Sequence, residues 1–251
     1  RDALPASRRA RVAVPAGGVL LALAALVRPA SLLALPLAAL LLVGRRRAGL
    51  ALLVVVAAAA CVAPWTWRNV REHGRVVLVS AQGGVNFWIG NHPLAIGEGD
   101  LAANPQLKLA NQALRARHPG LEAGQLEPVY YREALVWIAR EPLAWLGLLA
   151  RKAFYTVVPI GPSYRLHSPL YFWASVLPYA LLLPLALLGA RAAARGPAPP
   201  VALGLVVASA VATSLVFFPH ERFRMPAIDP ARVAMAGCWL GSRAGEERRP
   251  S

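Results

Sequence analysis

Residues 45–69 read Arg45-Arg46-Arg47-Ala48-Gly49-Leu50-Ala51-Leu52-Leu53-Val54-Val55-Val56-Ala57-Ala58-Ala59-Ala60-Cys61-Val62-Ala63-Pro64-Trp65-Thr66-Trp67-Arg68-Asn69. A cationic start, an uncharged apolar run and an exit through Trp65 and Trp67 mark a helix that crosses a membrane and leaves through its aromatic belt. Short loops rich in arginine favour the cytoplasmic side, so Arg45-Arg46-Arg47 is placed inside and Trp65 to Arg68 outside.

Working outward, the preceding apolar stretch is interrupted by Arg28-Pro29, which splits it into segments 12–27 and 30–43. Each is shorter than the roughly 20 residues of a full span. Proline ends helices and arginine avoids the bilayer centre, so two short helices meeting at that joint are expected. Towards the C-terminus, further spans are expected at 169–190, 201–218 and 227–240. The loops carrying Arg8, Arg9 and Arg11, Arg45 to Arg47, Arg191 and Arg195, and the tail 241–251 with Arg243, Arg248 and Arg249 then all fall on the cytoplasmic side. The expected organisation is transmembrane helices over 1–67 (12–27, 30–43 and 48–65), an extracytoplasmic segment over 68–164, transmembrane helices over 165–240 and the tail.

Composition agrees. Of 251 residues 57% are hydrophobic, too many for an ordinary soluble domain, and the net charge of +15 sits in short clusters between apolar runs. Such clusters read as a topology signal rather than a nucleic-acid surface. Cys61 and Cys238 both fall in apolar segments and suggest neither a disulfide framework nor a zinc site. Metalloprotease, serine-hydrolase and P-loop signatures are absent from the sequence. The chain begins at Arg1, without Met or a secretory signal, and is read as part of something longer.

Within 68–164, residues 75–80 and 85–89 read as short strands around Gly83-Gly84, and Gly90-Asn91-His92-Pro93 as a turn. Helices are expected near 105–116 and 128–140. The apolar stretch 143–158 carries Arg151-Lys152 in its middle, so it is expected to lie in the interface with its cations toward head groups.

Four separated pieces resemble one family. Ala25-Leu26-Val27-Arg28-Pro29, Ala63-Pro64-Trp65-Thr66-Trp67-Arg68-Asn69, Gly83-Gly84-Val85-Asn86-Phe87-Trp88-Ile89-Gly90-Asn91-His92-Pro93 and Arg222-Phe223-Arg224-Met225-Pro226 resemble bacterial membrane glycosyltransferases. The type is that of the dolichyl-phosphate-mannose protein mannosyltransferases and the transferase that adds aminoarabinose to lipid A. The resemblance implies an all-α polytopic membrane protein of GT-C-like fold in the bacterial plasma membrane, here with a small mixed α/β extracytoplasmic segment. It implies transfer of a sugar from a polyprenyl-phosphate carrier to a protein, lipid or glycan acceptor on the outer side. No cofactor or divalent metal is implied beyond the lipid-linked sugar, and membrane lipids are the surrounding partners. Nucleic acid is not a partner. The family's catalytic carboxylate lies in an early outer loop with no counterpart here, so it is expected upstream of Arg1.

Arg28, Arg222, Arg224 and Arg68 are the candidates for the carrier phosphate, since a planar guanidinium suits charge-assisted bonds to phosphate oxygens. Their bland alternatives are interfacial snorkelling, local pairing with Glu221, and, for Arg68, anchoring behind the tryptophans. Asn86, Trp88, Asn91 and His220 are candidates for contact with sugar or acceptor; the alternatives are structural packing and a structural hydrogen bond. Among the outer acids, Glu98 and Asp100 lie in a Gly-rich loop and read as solvated. Competing function classes are a non-enzymatic polyprenyl-phosphate-binding or transporter-like membrane protein, and an oligosaccharide polymerase or ligase.

Overall fold

Arg28-Pro29 breaks the first hydrophobic segment. In the computed structural model, which describes residues 8–74, 76–122, 124–166, 168–195, 201–225 and 227–247, α1 (Arg8–Val27) ends at this joint. Arg28 is extended (φ −140°, ψ 99°), and a 3-10 turn, Pro29–Leu33, leads into α2 (Ala34–Gly44). The proline ring disfavours helical backbone at the residue before it, which accounts for the break. α3 (Ala48–His73) follows, with Pro64 inside it and Gly74 closing it in the left-handed conformation (φ 63°).

These helices belong to the first of two units, Arg1–Gly84 with Leu121–Glu127. α1 and α2 both pack on α3, around Ala22, Ala58 and Val62. A Cβ placed on Gly18 would sit 2.6 Å from the carbonyl oxygen of Val54, so the backbones of α1 and α3 touch there. Small residues permit such close helix contacts in membranes, where dispersion rather than hydrophobic exclusion drives packing.

No strand forms among the described residues, and the expected mixed α/β segment is thereby corrected to an all-helical one. The supposed strand at 76–80 is irregular, because α3 takes its carbonyls: Trp65 Nε1 donates to Val79 O at 3.1 Å, Thr66 Oγ1 to Leu78 O at 3.0 Å and Asn69 Nδ2 to Val77 O at 3.0 Å. The supposed strand at 85–89 lies instead in α4 (Gly83–Gly90), where the Glu127 carboxylate accepts the N–H of Gly84 at 3.1 Å. A short apolar run has no periodicity that separates strand from helix, and an acid at a helix N-terminus tips the balance.

The second unit comprises Val85–Gly120 and Pro128–Ser251. α5 (Pro105–Ala116) is capped by Asn104, whose Oδ1 accepts the N–H of Leu107, and it buries Leu107 and Leu114 two turns apart. α6 (Glu127–Arg140) buries Tyr130 and Ala134, and Trp88 packs against Tyr130. α7 (Pro142–Val157) occupies the stretch expected to be interfacial. A 3-10 turn, Pro162–Leu166, precedes α8 (Pro169–Arg195), α9 (Val201–Val216), the short α10 (Glu221–Arg224) and α11 (Ile228–Glu247). α11 packs along α8, and α7 against α9.

Two helices are long and apolar enough to cross a membrane, Ala48–Glu72 and Pro169–Ala194. Only 28% and 17% of their most apolar windows are buried within the protein, and Leu52, Val56, Leu170, Trp173, Leu181 and Leu187 stand exposed. An apolar helix this bare is not the core helix of a soluble domain; lipid is the solvent that fits it. Val12–Val27, Pro29–Gly44 and Val201–Val216 are apolar but shorter. α11, where a span over 227–240 was expected, carries Asp229 and Arg232 and is not among these apolar helices. Arg75, the Pro/Ala-rich stretch 196–200, Pro226 and the tail arginines Arg248 and Arg249 lie outside the described residues.

Candidate functional site

Two loops of the second unit are locked together by one carboxylate. Glu98 is 7% exposed, and its Oε2 accepts both the N–H and the Oγ–H of Ser163 at 2.7 Å. A Cβ on Gly161 would lie 1.9 Å from Glu98 Oε1, so only glycine lets the 3-10 segment approach. The reading of Glu98 as solvated is therefore corrected: backbone and hydroxyl donors satisfy it in the interior, as a buried carboxylate requires. Asp100, two residues on, is half-buried and forms an Asx turn in which Oδ1 accepts the N–H of Ala102 at 2.8 Å. Its other oxygen has no protein hydrogen bond among the described residues.

These loops line a cleft with Tyr155 and Thr156 of α7, Ser214 of α9, Tyr164, His220 and Arg224. Its internal volume is about 40 Å³, room for a few waters or one small anionic group. His220 follows Pro219 and accepts the N–H of Arg222 at Nδ1 (3.2 Å), which leaves Nε2 as the protonated nitrogen of the neutral ring.

Arg224 is the buried cation of this cleft, 9% exposed. Its Nε reaches the Asp229 carboxylate at 3.2 and 3.4 Å, and its guanidinium lies 5.5 and 5.0 Å from the ring centres of Tyr164 and Tyr179. Its two terminal nitrogens have no hydrogen-bond partner among the described residues. Arg232 donates to the same Asp229 carboxylate at 3.0 Å and stacks on Tyr179 at 3.2 Å. Two guanidiniums thus share one carboxylate, and the cluster keeps a net positive charge; Nε and Nη1 of Arg232 are buried without an acceptor among the described residues. An uncompensated cation in such surroundings attracts an anion more strongly than one in water.

Of the residues singled out from sequence, Arg224 and His220 meet in this cleft and Arg222 does not line it. Arg222 is exposed, because a separation of two residues on a helix rotates a side chain by about 200°, onto the opposite face. Pairing with Glu221 concerns a side chain outside those described. Arg28 and Arg68 belong to the first unit. Arg28 is half-buried at the head of the 3-10 turn, whereas Arg68 is exposed, with its guanidinium 5.3 Å from the Trp65 ring centre, as an interfacial anchor would be.

Trp88 and Asn91, candidates for contact with sugar or acceptor, lie in the interior, each 1% exposed. Trp88 Nε1 donates to Glu133 Oε2 at 3.2 Å, and its ring packs on His92 and Tyr130. Burial lowers the His92 pKa to about 4, with the Glu133 charge opposing the shift. Asn91 donates to Phe87 O (2.9 Å) and Val216 O (2.8 Å) and accepts from Trp145 Nε1 and Lys152 Nζ (3.0 Å each), so its hydrogen-bonding capacity is used up. Asn86 is half-buried on α4 and lines no part of the cleft.

Lys152, read from sequence only as a cation toward the head groups, is wholly buried and bonded through Nζ to Asn91 and to Leu215 O at 2.9 Å. Burial alone lowers its pKa to about 7. It stands one turn before Thr156 of the cleft wall, and Thr156 Oγ1 donates to its carbonyl. The expectation that its charge reaches the head groups is therefore overturned: the amine points into the protein, where Asn91 and a carbonyl receive it.

The chain matches no protein-family model, no curated protein and no solved structure.

Proposed function

We propose that this chain forms part of a multi-pass glycosyltransferase of the bacterial plasma membrane. It moves a sugar from a polyprenyl-phosphate carrier to a protein, lipid or glycan acceptor on the extracytoplasmic side. The observation that carries this reading is Arg224: a nine-tenths buried guanidinium, oriented through Nε by Asp229, with its terminal nitrogens unpaired among the described residues, in a cleft that also holds two carboxylates and an imidazole. That fork suits two oxygens of one phosphate. Negative charge grows on the carrier phosphate as the sugar leaves, so a cation fixed in advance beside it lowers the barrier. The resemblance to GT-C transferases supplies the carrier and the reaction class.

The test uses the complete gene product in proteoliposomes, with a polyprenyl phosphate of eleven isoprene units as the binding probe. It also uses polyprenyl-phosphate sugars labelled in the sugar as donors, in membranes that supply acceptors. Arg224→Ala weakens polyprenyl-phosphate binding by about 10- to 100-fold, the worth of a charge-assisted hydrogen bond pair. Arg224→Lys, which keeps the charge and loses the fork, recovers part of it. Unchanged binding together with near-wild-type transfer at saturating donor would remove Arg224 from the site. Carrier binding without transfer from any donor would favour a carrier-binding membrane protein over an enzyme.

A further inference from the structure

Arg224 lines the cleft, but the residues that set its charge stand behind it. Asp229 Oδ1 lies 3.2 Å from Arg224 Nε and 3.0 Å from Arg232 Nη2, so one oxygen serves both guanidiniums and the shorter contact belongs to Arg232. Asp229 and Arg232 are three residues apart on α11, which puts them on one helix face. Tyr179 of α8 holds the second guanidinium there: its ring centre is 3.2 Å from Cζ of Arg232 and 5.0 Å from Cζ of Arg224. Nε and Nη1 of Arg232 are buried, and among the described residues Asp229 is the one acid bonded to this side chain. A buried second cation beside the first is costly, which makes it a poor device for stability alone. An Arg224–Asp229 pair without it would be neutral and would set a carboxylate beside any phosphate that Arg224 received. With Arg232 present the three side chains carry two positive charges and one negative, and the cleft meets a cation.

We propose that Arg232 is a positioning residue that keeps Arg224 cationic toward the carrier phosphate by taking a share of the Asp229 charge. The proposal rests on the reading of Arg224 as a phosphate ligand. It deepens that reading by giving a task to the polar pair of α11, the helix where an apolar span was expected. Neither Asp229 nor Arg232 lines the cleft, so their effect on a bound phosphate is carried by charge and by the direction of the Arg224 fork rather than by contact. Phosphate affinity then follows the net charge of the cluster.

Charge variants of the complete gene product in proteoliposomes separate this from a packing role, with polyprenyl phosphate of eleven isoprene units as the probe. Arg232→Gln leaves a neutral pair and weakens binding by about 10- to 100-fold, the worth of one unit charge several ångströms away. Arg232→Lys keeps the charge and restores most of the affinity. Asp229→Asn keeps an oxygen for Arg224 Nε, removes the negative charge and tightens binding. The decisive protein combines Arg232→Gln with Asp229→Asn. Its net charge equals that of the wild-type cluster, so it binds within about threefold of wild type although it has lost more native contacts than Arg232→Gln alone. A double variant as weak as Arg232→Gln, or weaker, is what packing alone predicts and overturns the proposal. Binding by Arg232→Gln within about twofold of wild type overturns it too. So does weaker binding by Asp229→Asn, which retains Arg232 and tests the charge independently of how Arg232→Gln folds. In each of these cases weakened binding by Arg224→Ala leaves the phosphate reading standing. Wild-type binding by Arg224→Ala, or no binding of polyprenyl phosphate by the wild type, overturns both.

Discussion

Lys152→Met keeps the length of the side chain and removes an amine that is 0% exposed. The amine donates to Asn91 Oδ1 at 3.0 Å and Leu215 O at 2.9 Å, and no carboxylate contributes to its pKa shift. Two such bonds contribute about 2 kcal/mol together, so the wild type is the more stable protein wherever the amine is neutral in both states. Burial lowers the folded pKa from 10.5 to about 7. Between those values the unfolded chain holds a proton that the folded protein does not, so stability rises with pH at about 1.4 kcal/mol per unit. Below about pH 7 both states are protonated and the wild type carries the full penalty, on the order of 4–5 kcal/mol. Methionine has no such dependence. The two stability curves should therefore cross near pH ~9, with the methionine variant ahead by about 2 kcal/mol at pH ~6.5. Unfolding by SDS in mixed micelles, followed by tryptophan fluorescence from pH ~6 to ~10.5, measures the difference against the unfolded reference pKa. A difference that does not change with pH, or a wild type that stays ahead at pH ~6.5, would refute the picture of an amine buried without a carboxylate beside it.

Three further outcomes are expected. Asn91→Leu leaves Trp145 Nε1, Lys152 Nζ and two carbonyls short of a partner and should destabilise by about 3–5 kcal/mol; a double-mutant cycle with Lys152→Met should show coupling of about 1 kcal/mol or more, and strict additivity would contradict a shared hub. Gly17 and Gly18 are neighbours with opposite tolerance: Gly17→Ala meets nothing within 4 Å and should stabilise α1 by about 0.5 kcal/mol, whereas Gly18→Ala drives a methyl to 2.6 Å from Val54 O and should lower the SDS midpoint clearly. Ser163→Ala removes the hydroxyl bond to the buried Glu98 carboxylate and should lower stability by about 1.5–3 kcal/mol, with faster proteolysis of the 159–166 loop as the readout.

The helical class and the positions of most helices were legible in the sequence. Long apolar runs leave a backbone one way to satisfy its N–H and C=O groups in lipid, and Arg28-Pro29 breaks a helix wherever it occurs. Segments 76–80 and 85–89 were misread because the deciding partners are remote: Asn69, Thr66 and Trp65 take the carbonyls of the first, and Glu127 accepts the Gly84 N–H at the head of the helix that holds the second. Arg222 and Arg224 look equivalent in sequence, and a helix of four residues separates them. The one local hint of the site was Gly97-Glu98-Gly99-Asp100, acids between glycines. Gly97 needs its positive φ of 93°, and the space beside Gly99 is filled by Phe218.

By itself the sequence determined that the long apolar stretches are helical, because that follows from composition and from backbone hydrogen bonds made within a few residues. The tertiary structure decided which charges are buried. It sent Lys152 inward to Asn91, buried Glu98 against Ser163, turned Asp100 and Arg224 to one cleft and left Arg222 exposed. Burial and pairing depend on groups that come from distant parts of the chain, such as Asn91 from Val216 and Glu98 from Ser163, and no local pattern encodes that distance.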